Sequence, residues 1–230
     1  MALPSSVDNL AGVLTREPFL LLEETGELVG FLACPVRTPS RARLAAAGLA
    51  DGLAISLWLD HLLPPCVVHL LERGVTALSY IGSAAWLIGP LQEQGFRFVS
   101  HIMAFEKTDQ LIPQAGSRAV TVRPVESADL AALASLDAVL FPPLWRNSVE
   151  MLERWRETLP YFVVAEERQG AIGYCTCSVT GPGHGHLVRM AVHPARQGQG
   201  IGKRLLAEAM CFFREAGARR ITLNTQEENE

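Results

Sequence analysis

One unit occurs twice in this sequence, and the repeat restricts the fold more than any other feature. FLLLEETGELVGFLAC begins at Phe19, and FVVAEERQGAIGYCTC begins at Phe162, 143 residues later, with no gap between the aligned segments. Both predict two strands joined by a polar turn, which is a β-hairpin. At the same offset, Gly74 and Gly217 would each end a helix before an apolar strand. The chain is therefore predicted to contain two copies of one α/β unit.

Composition and charge limit the class of protein. Hydrophobic residues make up 49% of the 230 positions, which supplies a sizeable core and argues against disorder. The net charge of −4 leaves no basic field to bind nucleic acid or an acidic membrane. No apolar run reaches the length of a membrane span, and MALPSSVDNL lacks the pattern of a signal peptide. We expect a soluble cytoplasmic protein with no nucleic-acid or membrane partner.

The cysteines carry no sign of a disulfide or metal framework. The five are an odd number and are scattered, which is typical of reduced thiols. Cys175 and Cys177 lie two apart on a predicted strand, so they share one face. Because no second Cys or His pair completes a zinc set, we expect two buried side chains and no metal.

The two copies are not equally complete at their beginnings. The predicted domains are 1–107 and 119–230, joined by a linker at 108–118 that is rich in turn residues. The second copy opens with a strand and two helices, whereas only eighteen residues precede the first hairpin. The predicted helix caps are Ser127 for the first helix and Asn147 or Ser148 for the second.

The copies also differ at their ends. The first continues past its fifth strand with a helix, AAWLIGPLQEQG, and a strand, FRFVSHIMAFEKT, whereas the second stops at Glu230. Either the chain is a fragment or another segment completes the second copy. RRITLNT would otherwise be an open sheet edge, which tends to pair with other chains. We therefore expect FRFVSHIMAFEK, from this chain or a neighbouring one, to lie beside it.

A glycine-rich loop in the second copy indicates a site for an anion. In AVHPARQGQGIGKRLL the glycines stand at 198, 200 and 202, between a predicted strand and a predicted helix over 200–216. The first four amides of a helix have no internal partner, and the helix dipole attracts anions. Glycines here remove the side chains that would keep a phosphate from those amides. The alternative is a turn whose glycines only permit tight packing of strand and helix.

Two familiar phosphate-binding loops do not fit these letters. A Walker A loop would need Gly at 197 and Ser or Thr at 204, where the chain has Gln197 and Arg204. A GxGxxG loop that begins at Gly198 would need a further glycine at Lys203, and the register that begins at Gly200 fails in the same way. Neither a nucleotide P-loop nor a dinucleotide-binding loop is therefore predicted.

The segment Gln197-Gly-Gln-Gly200-Ile-Gly202, after AVHP, resembles the Gln/Arg-x-x-Gly-x-Gly/Ala signature of the GNAT superfamily of N-acetyltransferases. The order of predicted elements is similar as well, over most of 119–230 and, less completely, over 17–107. The resemblance implies an α/β (α+β) fold of two GNAT-like units. Each would have a mixed, mostly antiparallel central sheet flanked by helices, and the second would lack the usual last helix and strands.

In this family the loop holds the pyrophosphate of coenzyme A, so the resemblance implies acetyl-CoA as the cosubstrate. The backbone at Met190, Ala191 and Val192 would accompany the pantetheine arm like an added strand. Lys203 or Arg196 would pair with the phosphates. The amides implied to hold the pyrophosphate are those of Gln197, Gly198, Gln199, Gly200, Ile201, Gly202 and Lys203.

The implied reaction is direct attack of an amine on the thioester, which needs a base to take a proton from the ammonium. The family often places this base six residues before Val192, at the position of His186 here. Histidine has an ordinary pKa near 6.5, which suits the task. On a regular strand His186, Val188 and Met190 would share one face. The alternative is a polar residue at a strand mouth with no role in catalysis.

Other polar residues near the site carry weaker predictions. His184 lies two residues before His186, so on a regular strand it would share the face of the candidate base. His193 in the AVHP turn is expected to be structural. Glu166 and Glu167 would either meet a cationic acceptor or form a solvated hairpin turn. In the family a general acid usually comes from a helix after the fifth strand. Asn229 matches the residue that often begins this helix, and no acid is assigned.

The first copy departs from the pattern where coenzyme A would bind. Its predicted fourth strand, LAISLWLD, runs into Pro64 and Pro65, which begin the helix CVVHLLERG. Proline contributes no N–H, so this helix end should not hold a pyrophosphate. The first copy is therefore predicted to be degenerate, with Trp58, Trp86 and His69 in its core or at an interface.

The favoured function is transfer of acetyl from acetyl-CoA to a primary amine, either on a small molecule or on a protein N-terminus or lysine. The alternative is a non-catalytic acyl-CoA-binding or regulatory module. The sequence also allows a homodimer.

Overall fold

The chain divides into two compact units, one extending to Val99 and the other beginning at Ser100. The computed structural model describes residues 18–109, 111–168 and 170–228. None of the helices in these stretches is long and apolar enough to cross a membrane. The predicted domain limit at residue 107 falls after the division between the units, because the strand before it pairs within the sheet of the second unit.

The first unit is built on two three-stranded sheets in its described part. Its strands are β1 (Phe19–Glu24), β2 (Glu27–Ala33), β3 (Val36–Thr38), β4 (Arg41–Leu44), β5 (Ala46–Leu49) and β6 (Ala77–Tyr80). Its helices are α1 (Ile55–His61), α2 (Leu63–Glu72) and α3 (Ala85–Glu93). The sheet orders are β1-β2-β5 and β3-β4-β6. The predicted hairpin is confirmed, since β1 and β2 pair antiparallel.

The second unit is built on one six-stranded sheet, in the order β7-β12-β11-β10-β9-β8. Its strands are β7 (Ile102–Lys107), β8 (Thr121–Pro124), β9 (Tyr161–Glu167), β10 (Gly170–Val179), β11 (His184–Val192) and β12 (Arg220–Gln226). Its helices are α4 (Leu130–Leu140), α5 (Val149–Thr158) and α6 (Ile201–Glu215). Among the strand pairs that the structure describes in this unit, only β11 and β12 run parallel. The predicted mixed, mostly antiparallel sheet with flanking helices is confirmed.

The expected partner of RRITLNT is β7. The two strands pair antiparallel without interruption from Ile221 opposite Lys107 to Gln226 opposite Ile102. The strand that follows the first copy in sequence therefore extends the sheet of the second copy. Its pairing covers the edge of β12 that the sequence left open.

Helices cover both faces of the second sheet. The apolar period of α6 buries one stripe against β10 and β11, formed by Ile201, Leu205, Ala209 and Phe213. Helices α4 and α5 pack on the opposite face, with Leu133, Leu136 and Leu152 buried. Cys175 and Cys177 are buried under α6, and all five cysteines are free thiols.

One predicted element is wrong. LAISLWLD does not form a strand, because it lies mostly in α1. Trp58 and Leu62 are buried four residues apart, which is the spacing of one helix face, and the Trp58 ring N–H donates to the Phe31 carbonyl at 2.9 Å. The strand lies earlier, at β4 and β5, which is where the offset of 143 residues places the counterpart of β11.

The predicted helix caps have different outcomes. Ser148 caps α5, since its hydroxyl accepts a hydrogen bond from the Met151 N–H at 3.3 Å. Ser127 does not cap α4. It begins a turn of 3-10 helix after Glu126, whose N–H donates to the Asp129 carboxylate at 2.8 Å.

Candidate functional site

Strands β11 and β12 separate where the candidate site begins. Their parallel register covers only His184 to Leu187, opposite Arg220 to Leu223. Beyond it β11 continues to Val192 while still paired with β10 on its other side. The described residues thus leave the edge of β11 open from Val188 to Val192, where the sequence predicts the pantetheine contacts. One group on this stretch is already engaged, since the Val192 carbonyl accepts from the Gln197 side chain at 3.1 Å.

The glycine loop connects this edge to α6 by a tight path. A turn of 3-10 helix follows β11, and the His193 ring nitrogen accepts from the Ala195 N–H at 3.2 Å, which fits the predicted structural role of His193. Gly198 and Gly200 have φ values of 75° and 79°, a region that side chains disfavour. Gly202 lies in the first turn of α6, where an added Cβ would meet only a Val192 methyl at 3.9 Å.

The amides at the start of α6 have no acceptor. Arg204 is the first residue of the helix whose N–H is bonded, to the Gly200 carbonyl at 3.0 Å. Among the described residues, no protein group accepts from the N–H groups of 198–203, and no acidic side chain lies in the first turn of the helix. Six amides without a protein acceptor therefore lie at the positive end of a fifteen-residue helix. An anion is the ligand that this arrangement favours.

The charged side chains around the loop divide into paired and unpaired ones. Arg196, one of the two predicted phosphate partners, pairs with Glu167 at 3.1 Å. Glu166 pairs with Arg123 at 2.7 Å. Each of the two hairpin glutamates is therefore engaged in an ion pair with an arginine. Lys203 is exposed and has no ion-pair partner in the described part of the chain.

His186 lies on a different sheet face from the one predicted. The register of β10 with β11 shifts at Val188, which has no partner on β10. Leu187 and Met190 both pack under α6 although they are three residues apart, so the bulge breaks the alternation. His186 faces away from Leu187, toward the side of α4 and α5. The prediction that His186 shares a face with Met190 is wrong, because it assumed a regular strand.

The surroundings of His186 favour its neutral form. Its Nδ1 lies 2.9 Å from the Thr222 hydroxyl on β12. Burial lowers the pKa of His186 below its ordinary value of 6.5, and a hydrogen bond to Thr222 opposes this in part. Because Nδ1 is engaged, Nε2 is the ring nitrogen left for proton transfer. His184, two residues earlier, is exposed.

A buried ion pair that sequence reasoning missed lies on the same face. Asp137 of α4 has no exposed surface, and both of its carboxylate oxygens accept from Arg189 of β11, at 2.9 and 3.0 Å. The hydroxyl of Tyr174 donates to the same carboxylate. Burial, and next the Asp137 charge, raises the pKa of Tyr174. The sequence did offer one sign of this cluster, since Asp137, Tyr174 and Arg189 each stand inside an otherwise apolar helix or strand segment.

This pair also holds the connection between α4 and α5. The Asn147 N–H donates to Asp137 at 2.6 Å, and Arg189 donates to the Trp145 carbonyl at 2.6 Å. The Arg189 guanidinium carbon lies 3.3 Å from the centre of the Phe141 ring. Loop 141–147 is thereby fixed beside the stretch of β11 that β12 leaves open.

The predicted linker is packed against the glycine loop. The Ser117 N–H donates to the Gly200 carbonyl at 3.0 Å, and Ile112 packs against the core under α6.

Asn229, predicted to begin a further helix, lies outside the described residues. In the part of the chain that the structure describes, no three His, Cys, Asp or Glu side chains form a group that could hold a metal ion.

The part of the chain that contains the glycine loop is similar to a known protein family. Residues 130–230, which include strands β9 to β12 and the glycine loop, match the model of the acetyltransferase (GNAT) family. No curated protein matches the chain in sequence.

Solved structures extend the likeness to both units. A GCN5-related N-acetyltransferase from Sphaerobacter thermophilus is 19% identical with a TM-score of 0.66, over 92% of this chain and 72% of that one. A tandem GNAT protein from the clavulanic acid biosynthesis pathway is 14% identical with a TM-score of 0.66, over 99% and 83%. A GCN5-related N-acetyltransferase from Kribbella flavida is 16% identical with a TM-score of 0.65, over 97% and 56%. The chain therefore has the fold of two GNAT-like units in tandem.

Proposed function

We propose that the second unit transfers acetyl from acetyl-CoA to a primary amine. The observation that carries this proposal is the run of amides from Gly198 to Lys203 that donate to no protein group among the described residues. A pyrophosphate supplies the acceptors that these amides lack. The open edge of β11 lies directly before the loop, so a pantetheine arm would extend from the loop along Val192 and Met190.

The glycines of the loop fit this ligand because they have no side chains to block the backbone amides. An added Cβ at Gly198 would meet nothing within 4 Å, so the space above the loop is open to a ligand. Lys203 is the exposed cation nearest the amides in sequence and is assigned to a phosphate. Arg196 is not, because Glu167 already holds it. Replacement of Gly202 by alanine is expected to leave coenzyme A binding nearly unchanged.

His186 is assigned as the base. Its neutral Nε2 takes a proton from the ammonium of the acceptor, directly or through a water. The freed nitrogen lone pair then attacks the acetyl carbonyl carbon, so that a C–N bond forms and the C–S bond breaks. The departing thiolate takes up the second proton that the nitrogen loses, which gives the amide and the free thiol. Thr222 holds the imidazole by its Nδ1, which keeps Nε2 available. Loop 141–147, fixed by Arg189, bounds the space for the acceptor.

We propose further that the first unit neither binds coenzyme A nor transfers acetyl. The parallel pair of β4 and β6 places Arg43 opposite Ser79, as β11 and β12 place His186 opposite Thr222. Arginine remains charged at neutral pH and cannot serve as the base. After β5 the chain enters α1 without a run of glycines, and α2 begins with prolines at its first turn.

The experiment that tests the proposal measures thiol release from acetyl-CoA with a panel of primary amines. We expect turnover with at least one amine, and replacement of His186 by Gln should lower kcat by about 100-fold or more while leaving the Kd for coenzyme A unchanged. His184→Gln is the matched control on the same strand and should retain the full rate. Tight coenzyme A binding without turnover for any amine would instead support the regulatory module.

The pH dependence of the same reaction provides a second readout. Because burial lowers the pKa of His186, the neutral base persists to lower pH than for an exposed histidine. We expect kcat/KM to rise with pH through a midpoint below 6.5 and then to stay level until another group titrates. This rise of kcat/KM with pH should be absent in the His186→Gln variant. A midpoint above 7 would contradict the assignment.

A further inference from the structure

The segment between β7 and β8 of the second unit contains a stretch, residues 112–117, that lies across the start of α6. We call it the strap. Ile112 anchors one end in the core under α6, and Val120, just beyond the other end, is buried in the same core. Between these anchors Gly116 turns tightly, with its N–H donating to the Gln114 carbonyl at 2.8 Å. The predicted linker is therefore a fixed part of the second unit at this point.

The strap approaches the glycine loop so closely that only glycine fits. A Cβ on Gly116 would lie 2.2 Å from the Gly200 carbonyl oxygen and 2.4 Å from the Arg204 nitrogen. Both neighbours are backbone atoms of the loop and the first turn of α6, so they cannot rotate out of the way. In the other direction, a Cβ on Gly200 would lie 3.2 Å from the Ser117 nitrogen. Strap and loop are therefore packed backbone to backbone.

The contact fixes the orientation of one peptide group. The Gly200 carbonyl accepts two hydrogen bonds, from Ser117 and from Arg204, each at 3.0 Å. Because the peptide is planar and trans, the N–H of Ile201 points opposite to the Gly200 carbonyl. The strap thus holds the carbonyl side of this peptide and leaves the amide directed away from it. That amide belongs to the run without protein acceptors.

We infer that the strap is part of the coenzyme A site, with Gly116 and Ser117 as positioning residues that aim the Ile201 amide at the pyrophosphate. This inference rests on the proposed function of the loop. The strap and the ligand hold the same peptide group from its two sides, so each stabilises the bound position of the other. Such coupling is reciprocal: displacing the strap weakens coenzyme A binding, and coenzyme A tightens the strap.

The test compares the Kd for coenzyme A of the full chain, of Gly116→Ala and of Gly89→Ala by calorimetry. Gly116→Ala should raise the Kd by about tenfold or more, since its methyl displaces the strap. Gly89 lies in α3 of the first unit, where an added Cβ meets nothing within 4 Å, and Gly89→Ala should leave the Kd unchanged. Equal affinity of Gly116→Ala and the unmodified chain would overturn the inference and leave the proposed function standing. No binding by the unmodified chain would overturn both.

A second measurement needs no substitution and applies even if Gly116→Ala fails to fold. Saturating coenzyme A should slow hydrogen–deuterium exchange of the Ser117 amide in the unmodified chain by about tenfold or more. A merely structural strap would exchange at the same rate with and without the ligand. Unchanged exchange at Ser117, at a concentration where binding is complete by calorimetry, would overturn the inference.

Discussion

Replacing Gly202 by Glu is expected to abolish coenzyme A binding without weakening the fold. Gly202 has ordinary helical backbone geometry, and an added Cβ would meet only a Val192 methyl at 3.9 Å. A side chain here removes the helix penalty of glycine, about 0.5–1 kcal/mol, and an acidic group in the first turn favours the helix dipole. The same carboxylate repels the pyrophosphate and competes for the free amides, at a cost of several kcal/mol.

We therefore expect the Kd for coenzyme A to rise by about 100-fold or more while the midpoint of thermal unfolding stays level or increases. The matched control is Gly202→Ala, which gains the same helix propensity but adds no charge, and it should bind coenzyme A nearly as the unmodified chain does. A Gly202→Glu protein that binds coenzyme A normally would show that the pyrophosphate lies elsewhere. Opposite changes in stability and affinity separate a loss of ligand contacts from a loss of structure.

Removing the carboxylate of Asp137 is expected to be among the most destabilising single changes in the second unit. The side chain has no exposed surface and receives hydrogen bonds from Arg189 and Asn147. Asp137→Ala leaves the Arg189 guanidinium without its anion in a site where water cannot replace it. The expected loss in the free energy of unfolding is about 3–5 kcal/mol, measured by urea denaturation. Asp51→Ala, at an exposed position, should change it by less than about 0.5 kcal/mol.

The double variant Asp137→Leu/Arg189→Leu distinguishes a lost ion pair from a lost contact surface. Removing both charges leaves no unpaired charge, although the Tyr174 hydroxyl and the Asn147 N–H lose their acceptor. The double variant should therefore be clearly more stable than the sum of the two single losses predicts. A loss below about 1 kcal/mol for Asp137→Ala would contradict the structural role assigned to this pair. Any remaining activity should show a raised KM for the amine, because loop 141–147 is no longer held.

Local patterns were sufficient to predict much of this architecture. The two hairpins followed from alternation and turn residues, and α6 from apolar residues that recur every three or four positions. The placement of three glycines between a strand and this helix was enough to locate the candidate site. RRITLNT was expected to pair with the FRFVSHIMAFEK segment, because an amphipathic strand with an open edge needs a partner. These inferences depend on neighbours in the sequence or on the internal repeat.

The features that sequence reasoning missed depend on contacts between distant residues. Because of the bulge at Val188, His186 and Met190 lie on opposite faces of the sheet. No local sequence pattern indicates that a strand residue will have no partner on the neighbouring strand. The pairing of Asp137 with Arg189 joins a helix to a strand across the core. The strap was predicted as a linker from its turn residues, and only the approach of Gly116 to Gly200 reveals its packing. LAISLWLD was assigned as a strand because a short apolar run is compatible with the periodicity of a strand and with that of a buried helix.

We propose that main-chain N–H groups at the start of α6 hold the pyrophosphate of coenzyme A. The most direct measurement follows backbone amide resonances of the isotope-labelled full chain by NMR while coenzyme A is added. We expect large, saturable shifts for residues 198–203 of the second unit, and none for the counterpart segment 55–60 of the first. Saturable binding that leaves the amides of 198–203 unshifted would contradict it.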